Sequence, residues 1–75
     1  MTVADLKSGR KARIKTIDFT HPSSFRVMEY GFTPGQEIEI MNKAFLGDPL
    51  SVSLRGTLIA IRKTDAKCIE LDGEE

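Results

Sequence analysis

Three stretches of this chain alternate polar and apolar side chains with a period of two, and glycine or proline punctuates the segments between them. Lys11, Arg13 and Lys15 alternate with Ala12, Ile14 and Thr16; Glu37 and Glu39 with Ile38 and Ile40; Ser51, Ser53 and Arg55 with Leu50, Val52 and Leu54. Successive side chains of a strand point to opposite faces, so each stretch reads as a half-buried strand. Residues 58–62 and 68–72 complete a set of five. The run over 58–62 is apolar on both faces, Leu58 and Ala60 on one and Ile59 and Ile61 on the other. Something must cover its outer side, and the helix described next is the expected cover.

The segments between the strands carry turn and cap chemistry. Thr2 with Asp5 resembles a helix cap, so residues 3–7 are expected to form one helical turn that Gly9 ends. Pro22 suits the start of a short helix over residues 23–30, with Phe25, Met28 and Val27 facing inward. Gly31 stands where helices end in a left-handed residue. Phe32 is expected in the core, and Thr33-Pro34-Gly35 makes a tight turn. Residues 42–48 read as a loop, Gly56-Thr57 as a hairpin turn and residues 63–67 as a turn. Residues 73–75 are expected to fray.

With 75 residues, 40% of them hydrophobic, the chain has material for one modest core and reads as a single domain over residues 1–75. A domain of this size buries only about 60% of its unfolded surface, so few apolar side chains remain to wall a deep cleft. Five strands in so short a chain leave too many edges for a flat sheet, and curling into a small barrel removes most of them. The first strand offers Lys11, Arg13 and Lys15 outward, the second Glu37 and Glu39, and the fifth Glu70 and Asp72. Placing the first strand between the other two gives its basic row acidic neighbours on both sides, each cross-strand pair contributing about 0.2–1 kcal/mol. That order, 5-1-2, is the one an SH3-like barrel uses. The fold class expected is therefore mostly β: a small SH3-like five-stranded barrel with one short helix inserted after the first strand.

Lysine and arginine together number 11, as do aspartate and glutamate, so the formal net charge is zero. A nucleic-acid binder gains affinity from excess basic charge, and the Lys11–Arg13–Lys15 stripe has no interleaved aromatic on which a base would stack. No nucleic-acid partner is expected. The single cysteine, Cys68, has no internal disulfide partner, which suits a reducing compartment. The first ten residues lack the apolar run of a signal peptide, and no stretch approaches the roughly 20 apolar residues of a membrane span. A cytoplasmic location without membrane insertion is the expectation.

No constellation carries catalysis. His21 and Cys68 stand far apart without the paired spacing of metal ligands, Ser23 and Ser24 read as helix capping, and the glycines sit singly at separate turns. Asp65, Glu70 and Asp72 read as a solvated turn and strand face. No catalytic residue, metal site or cofactor is expected, and the chain reads as a non-enzymatic protein-binding module. The candidate contact residues are Tyr30, Phe45, Leu46 and Asp48. Phe45-Leu46, beside Gly47-Asp48-Pro49, forms either an exposed apolar tip or a plug for one barrel end. Tyr30 stands evenly between a hydrogen-bonded core edge and an exposed ring. The loop pair also offers a route to weak self-association.

Gly31-Phe32-Thr33-Pro34-Gly35 after a helix, then Gly47-Asp48-Pro49-Leu50, Ala60-Ile61-Arg62, and Ala66 with Ile69 and Leu71 resemble the FeoA family, over most of residues 6–72. The resemblance implies an SH3-like barrel with a helix after the first strand. It also implies an accessory to FeoB, the membrane transporter of ferrous iron, contacted on its cytoplasmic side. The family supplies no catalytic residues to carry over. Tyr30 departs from the leucine or methionine that the family often places before the helix-ending glycine. Two alternatives accompany this reading: a free-standing regulatory module related to iron-responsive repressor domains, and a weak Fe(II) sensor.

Overall fold

The computed structural model describes residues 1–74. Five strands, β1 (Lys11–Ile17), β2 (Glu37–Lys43), β3 (Leu50–Leu54), β4 (Thr57–Ile61) and β5 (Ile69–Glu74), form one antiparallel sheet. Helix α1 (Ser24–Tyr30) is inserted between β1 and β2, and the single-turn α2 (Lys63–Ala66) between β4 and β5. Short 3₁₀ turns occupy Val3–Asp5 and Phe45–Gly47. The first of these stops at Asp5, short of the turn expected over residues 3–7, because Leu6 is already extended; its start is held by Asp5 Oδ2, which accepts the Thr2 N–H at 2.8 Å.

The sheet order is β4-β3-β2-β1-β5, so β1 lies between β2 and β5 as the charge pattern predicts. Lys11 stands opposite Glu39 and Arg13 opposite Glu37. The Arg13 guanidinium also donates to the Gly35 carbonyl at 2.6 Å, which ties β1 to the turn before β2. On its other edge β1 shifts register against β5 between Ala12 and Ile14 and again between Ile14 and Thr16. Such irregularities increase local twist and bend the strand. They also explain why Ile17, rather than Thr16, takes the next fully buried place after Ile14.

All five strands contribute to one apolar core, with Ala12, Ile14 and Ile17 from β1, Ile38 and Ile40 from β2, Leu50, Val52 and Leu54 from β3, Ile61 from β4, and Ile69 and Leu71 from β5. Extents of 27 × 23 × 22 Å show that the sheet is rolled around this core rather than flat. Val3, Leu6, Val27, Phe32, Ala66 and Cys68 fill the remaining space. At the end of α1 Gly31 has φ 105°, and its N–H bonds the Met28 carbonyl. The chain thereby reverses, and Phe32 enters the core with none of its surface exposed.

Several expectations are corrected. The inward side of α1 is Ser24 and Val27, a spacing of three that places both on one helix face; Phe25 is 74% and Met28 39% exposed. A seven-residue helix turned this way leaves the outer side of β4 open, so Leu58 is 63% exposed and Ala60 is also exposed. The hairpin turn is Arg55-Gly56 rather than Gly56-Thr57, because Leu54 pairs with Thr57 and both turn residues have positive φ. Gly73 and Glu74 do not fray but belong to β5; Glu75 lies outside the described residues.

Asp65 is the largest departure, since it is buried to 1% exposure rather than solvated. Its Oδ2 accepts the Arg62 N–H at 3.2 Å and lies 3.5 Å from Arg62 Nε, while Oδ1 lies 3.8 Å from Arg26 Nη1 on α1. One carboxylate therefore both caps α2 and ties α1 to it. Oδ1 has no hydrogen-bond partner, so this oxygen is satisfied only by the distant arginine charge.

Phe32→Ala should cost about 3–5 kcal/mol in denaturant unfolding, whereas Phe25→Ala should stay within about 0.5 kcal/mol; similar losses at both would contradict this placement. Asp65→Ala should cost about 1–3 kcal/mol and speed amide exchange in α1 more than in β3. Uniform acceleration across both would show that Asp65 does not tether the helix.

Candidate functional site

The polar side chains with the most chemistry are engaged in holding the fold. The Cys68 thiol is fully buried and donates to the Asp65 carbonyl at 3.1 Å. Burial first, and the Asp65 charge second, push its pKa up, so it stays a protonated thiol rather than a nucleophilic thiolate. His21 Nδ1 accepts the Ser23 N–H at 3.0 Å, fixing the entry to α1. Asp18 accepts both the Thr20 hydroxyl at 2.6 Å and the Thr20 N–H at 3.0 Å. Those two bonds hold its carboxyl below the usual aspartate value. Among the described residues no three His, Cys, Asp or Glu side chains converge as a metal site would require.

The largest exposed apolar side chains are elsewhere. Phe45 is 86% and Leu46 80% exposed on the 3₁₀ turn between β2 and β3. Their backbone is closed on itself, with Ala44 N–H donating to the Pro49 carbonyl at 2.9 Å and Gly47 N–H to the Ala44 carbonyl at 2.8 Å. Leu46 adopts φ 59° and ψ 21°, a left-handed conformation costing a side-chain-bearing residue roughly 1–2 kcal/mol. The loop projects its two apolar side chains outward, and of the two arrangements open in the sequence the structure takes the exposed tip. Asp48 Oδ1 accepts the Lys63 N–H at 3.1 Å and so anchors the loop to the start of α2.

Tyr30 occupies a different place. It is 42% exposed at the end of α1 and lines a cleft of about 300 Å³ with Gly31, Leu54, Arg55, Thr57 and Ile59. The candidate residues thus divide into a loop group, Phe45, Leu46 and Asp48, and a cleft residue, Tyr30, that neighbours β3 and β4. Phe25 and Leu58 also present apolar surface that the sequence reading placed under cover. The signal for Leu58 was visible, because a strand apolar on both faces needs a covering layer. A second shallow groove, lined by Lys11, Glu37, Glu39 and Arg55 among others, mixes both charge signs and offers no single-sign field for a polyanion.

Comparison with known proteins gives a consistent placement. The family model of the FeoA domain matches residues 1–72. Iron(II) transport protein A of Clostridium thermocellum is 37% identical with a TM-score of 0.84, over 95% of this chain and 44% of that one, so this chain spans less than half the length of that relative. A FeoA-like protein of Clostridium acetobutylicum is 29% identical with a TM-score of 0.89, covering 96% of this chain and 84% of that one. FeoA of Stenotrophomonas maltophilia, solved with zinc and described as a prokaryotic SH3 domain protein, is 28% identical with a TM-score of 0.85, covering 100% and 95% of the two chains. The comparison with curated protein sequences returned no match. A rolled five-stranded sheet with its helix inserted after the first strand is the architecture these relatives share, and the chain belongs to the FeoA family of ferrous-iron transport.

Proposed function

We propose that this chain is a non-enzymatic regulator of bacterial ferrous-iron uptake that acts by contact with the cytoplasmic side of the FeoB transporter. The observation that carries this reading is the use of scarce apolar material. In a chain whose core needs nearly every aliphatic side chain it has, Phe45 and Leu46 stand in water at 86% and 80% exposure on a hydrogen-bonded loop. Exposed apolar pairs of this kind become stabilising only when a partner covers them, at about 25 cal/mol per Å². Family membership supplies the pathway, ferrous-iron transport. The chemistry of the interior supports contact over catalysis, since Cys68, His21 and Asp65 are each engaged with backbone groups. No helix among the described residues is long and apolar enough to cross a membrane.

The S. maltophilia relative was solved with zinc. Among the described residues no three His, Cys, Asp or Glu side chains converge to hold such an ion, and His21 Nδ1 accepts from Ser23 while the Cys68 thiol donates to the Asp65 carbonyl. The sensor alternative therefore rests on less than the contact reading does.

Isothermal titration with the cytoplasmic region of the cognate FeoB should give saturable binding. The double variant Phe45→Ser/Leu46→Ser should weaken it at least about tenfold, the loss of roughly 1.4 kcal/mol, with an unchanged thermal midpoint. Absence of wild-type binding at high micromolar concentration, or full binding by the double variant, would remove this reading. Cys68 should react with a thiol reagent only after denaturant unfolds the chain; rapid stoichiometric labelling of the native protein would reopen a thiolate role.

A further inference from the structure

The two edges of the sheet are finished differently. On β5, the Leu71 N–H donates to the Met1 carbonyl at 2.9 Å and Thr2 bridges Glu70, so the amino-terminal segment covers part of that edge. Among the described residues nothing comparable covers β4. The phase of the β3–β4 hairpin tells which of its groups face outward. Leu54 and Thr57 flank a two-residue turn whose residues, Arg55 and Gly56, have φ 51° and 77°. Residues flanking such a turn exchange both backbone hydrogen bonds, and bonded pairs then alternate with unbonded ones. Val52/Ile59 and Leu50/Ile61 are the next bonded pairs. The N–H and C=O groups of Leu58 and Ala60 are therefore directed away from β3, the one strand beside β4 in the sheet order, and among the described residues neither takes part in a backbone bond outside the sheet.

Sheets protect such edges with charge, proline, bulges or a covering segment. Strand β4 has none of these: Thr57–Ile61 contains no charged residue and no proline, and its pairing with β3 runs without a register shift. Its side chains are apolar on both sides, with Leu58 63% exposed on one and Ile59, half-buried, lining the Tyr30 cleft on the other. The flanks are basic. Residues 51–64 contain no acidic side chain but include Arg55, Arg62 and Lys63. Two carboxylates approach the Arg62 end, and both are already engaged: Asp65 with Arg62 and Arg26, Asp48 with the Lys63 N–H. Lys67, also exposed, adds to the positive side there.

We propose that β4 is a docking edge for an extended apolar segment of another protein, added as a further strand with an acidic residue against Arg62 and Lys63. Backbone bonds to Leu58 and Ala60 hold the added segment. Its central side chain lies beside Ile59 and enters the cleft against Tyr30. A second copy of the chain is a poorer occupant: antiparallel pairing of two β4 edges brings the Arg62–Lys63 end of each copy toward the Arg55 turn of the other, so basic groups meet basic groups. This inference rests on the contact-driven reading above and adds a second contact surface to the Phe45-Leu46 tip, but its test needs no transporter.

The probe is a synthetic nonapeptide of five alternating valines and threonines with two glutamates at each end, compared with the same peptide flanked by lysines. Titrated into the full isotopically labelled chain, the glutamate peptide should slow amide exchange at Leu58 and Ala60 at least about tenfold and bind at least about tenfold more tightly than the lysine peptide. Ala60→Pro removes an outward N–H without touching the β3 ladder and should abolish binding. Leu58→Lys, which charges the edge without constraining the backbone, should do the same and serves if the proline variant does not fold. Equal binding of the two peptides, no binding at millimolar concentration, protection centred on Phe45 and Leu46, or dimerisation through β4 would each overturn the proposal. If FeoB binds while Leu58 and Ala60 exchange freely, this proposal falls and the adaptor reading stands. Protection by the peptide together with no FeoB binding leaves the docking edge and removes the adaptor reading.

Discussion

Strand β1 is paired along both of its edges while its inward row, Ala12, Ile14 and Ile17, lies in the core, and the remaining elements take their places around it. Its pairing with β2 brings in the β2-β3-β4 meander, and its pairing with β5 brings the carboxy-terminal strand to the other side. The register shifts against β5 matter as much as the pairing itself. A regular ladder would hold the strands flatter, and the side chains of β4 and β5 would then miss the common core. Because they curl, strands at opposite ends of the order, through Ile61 and Ile69, pack into the same apolar cluster.

That arrangement explains how the polar groups are used. A small barrel has little depth, so any buried charge must be held from the outside. Asp65 shows this: a carboxylate at 1% exposure meets two arginines whose own side chains are about half in solvent, at 48% and 58%. Their attraction is partly screened by water, and the backbone bond from Arg62 does the closer work. Cys68, packed beside it, behaves as a small apolar side chain with a weak donor. With the interior committed to packing, the apolar surface left outside lies on the rim: the Phe45-Leu46 tip, the Tyr30 cleft and the outer side of β4.

Much of the fold is legible from period and punctuation. The alternation in residues 11–17, 37–40 and 50–54 reports burial on one side, and the basic row of β1 between two acidic rows places the strand. Gly31 and Gly35 mark a helix end and a turn because both need positive φ, here 105° and 89°. The orientation of α1 was not legible. Phe25, Val27 and Met28 are similar in hydropathy, and which of them faces inward depends on where the helix axis lies against the barrel, information that a seven-residue segment does not carry. The burial of Asp65 was hidden for a related reason: its partner Arg26 is remote in sequence and reaches it only because α1 and α2 pack together.

The sequence by itself determined the five strands, the order around β1, the inserted helix and the Phe45-Leu46 pair as a candidate contact. These follow from local side-chain alternation and turn chemistry, which act over a few residues. Only the tertiary structure decided which apolar residues remain in water. Phe25, Leu58, Phe45 and Leu46 have the same reason to be buried as Ile14 or Val52. Their exposure follows from a core already filled from all five strands and from a helix too short to cover the outside of β4.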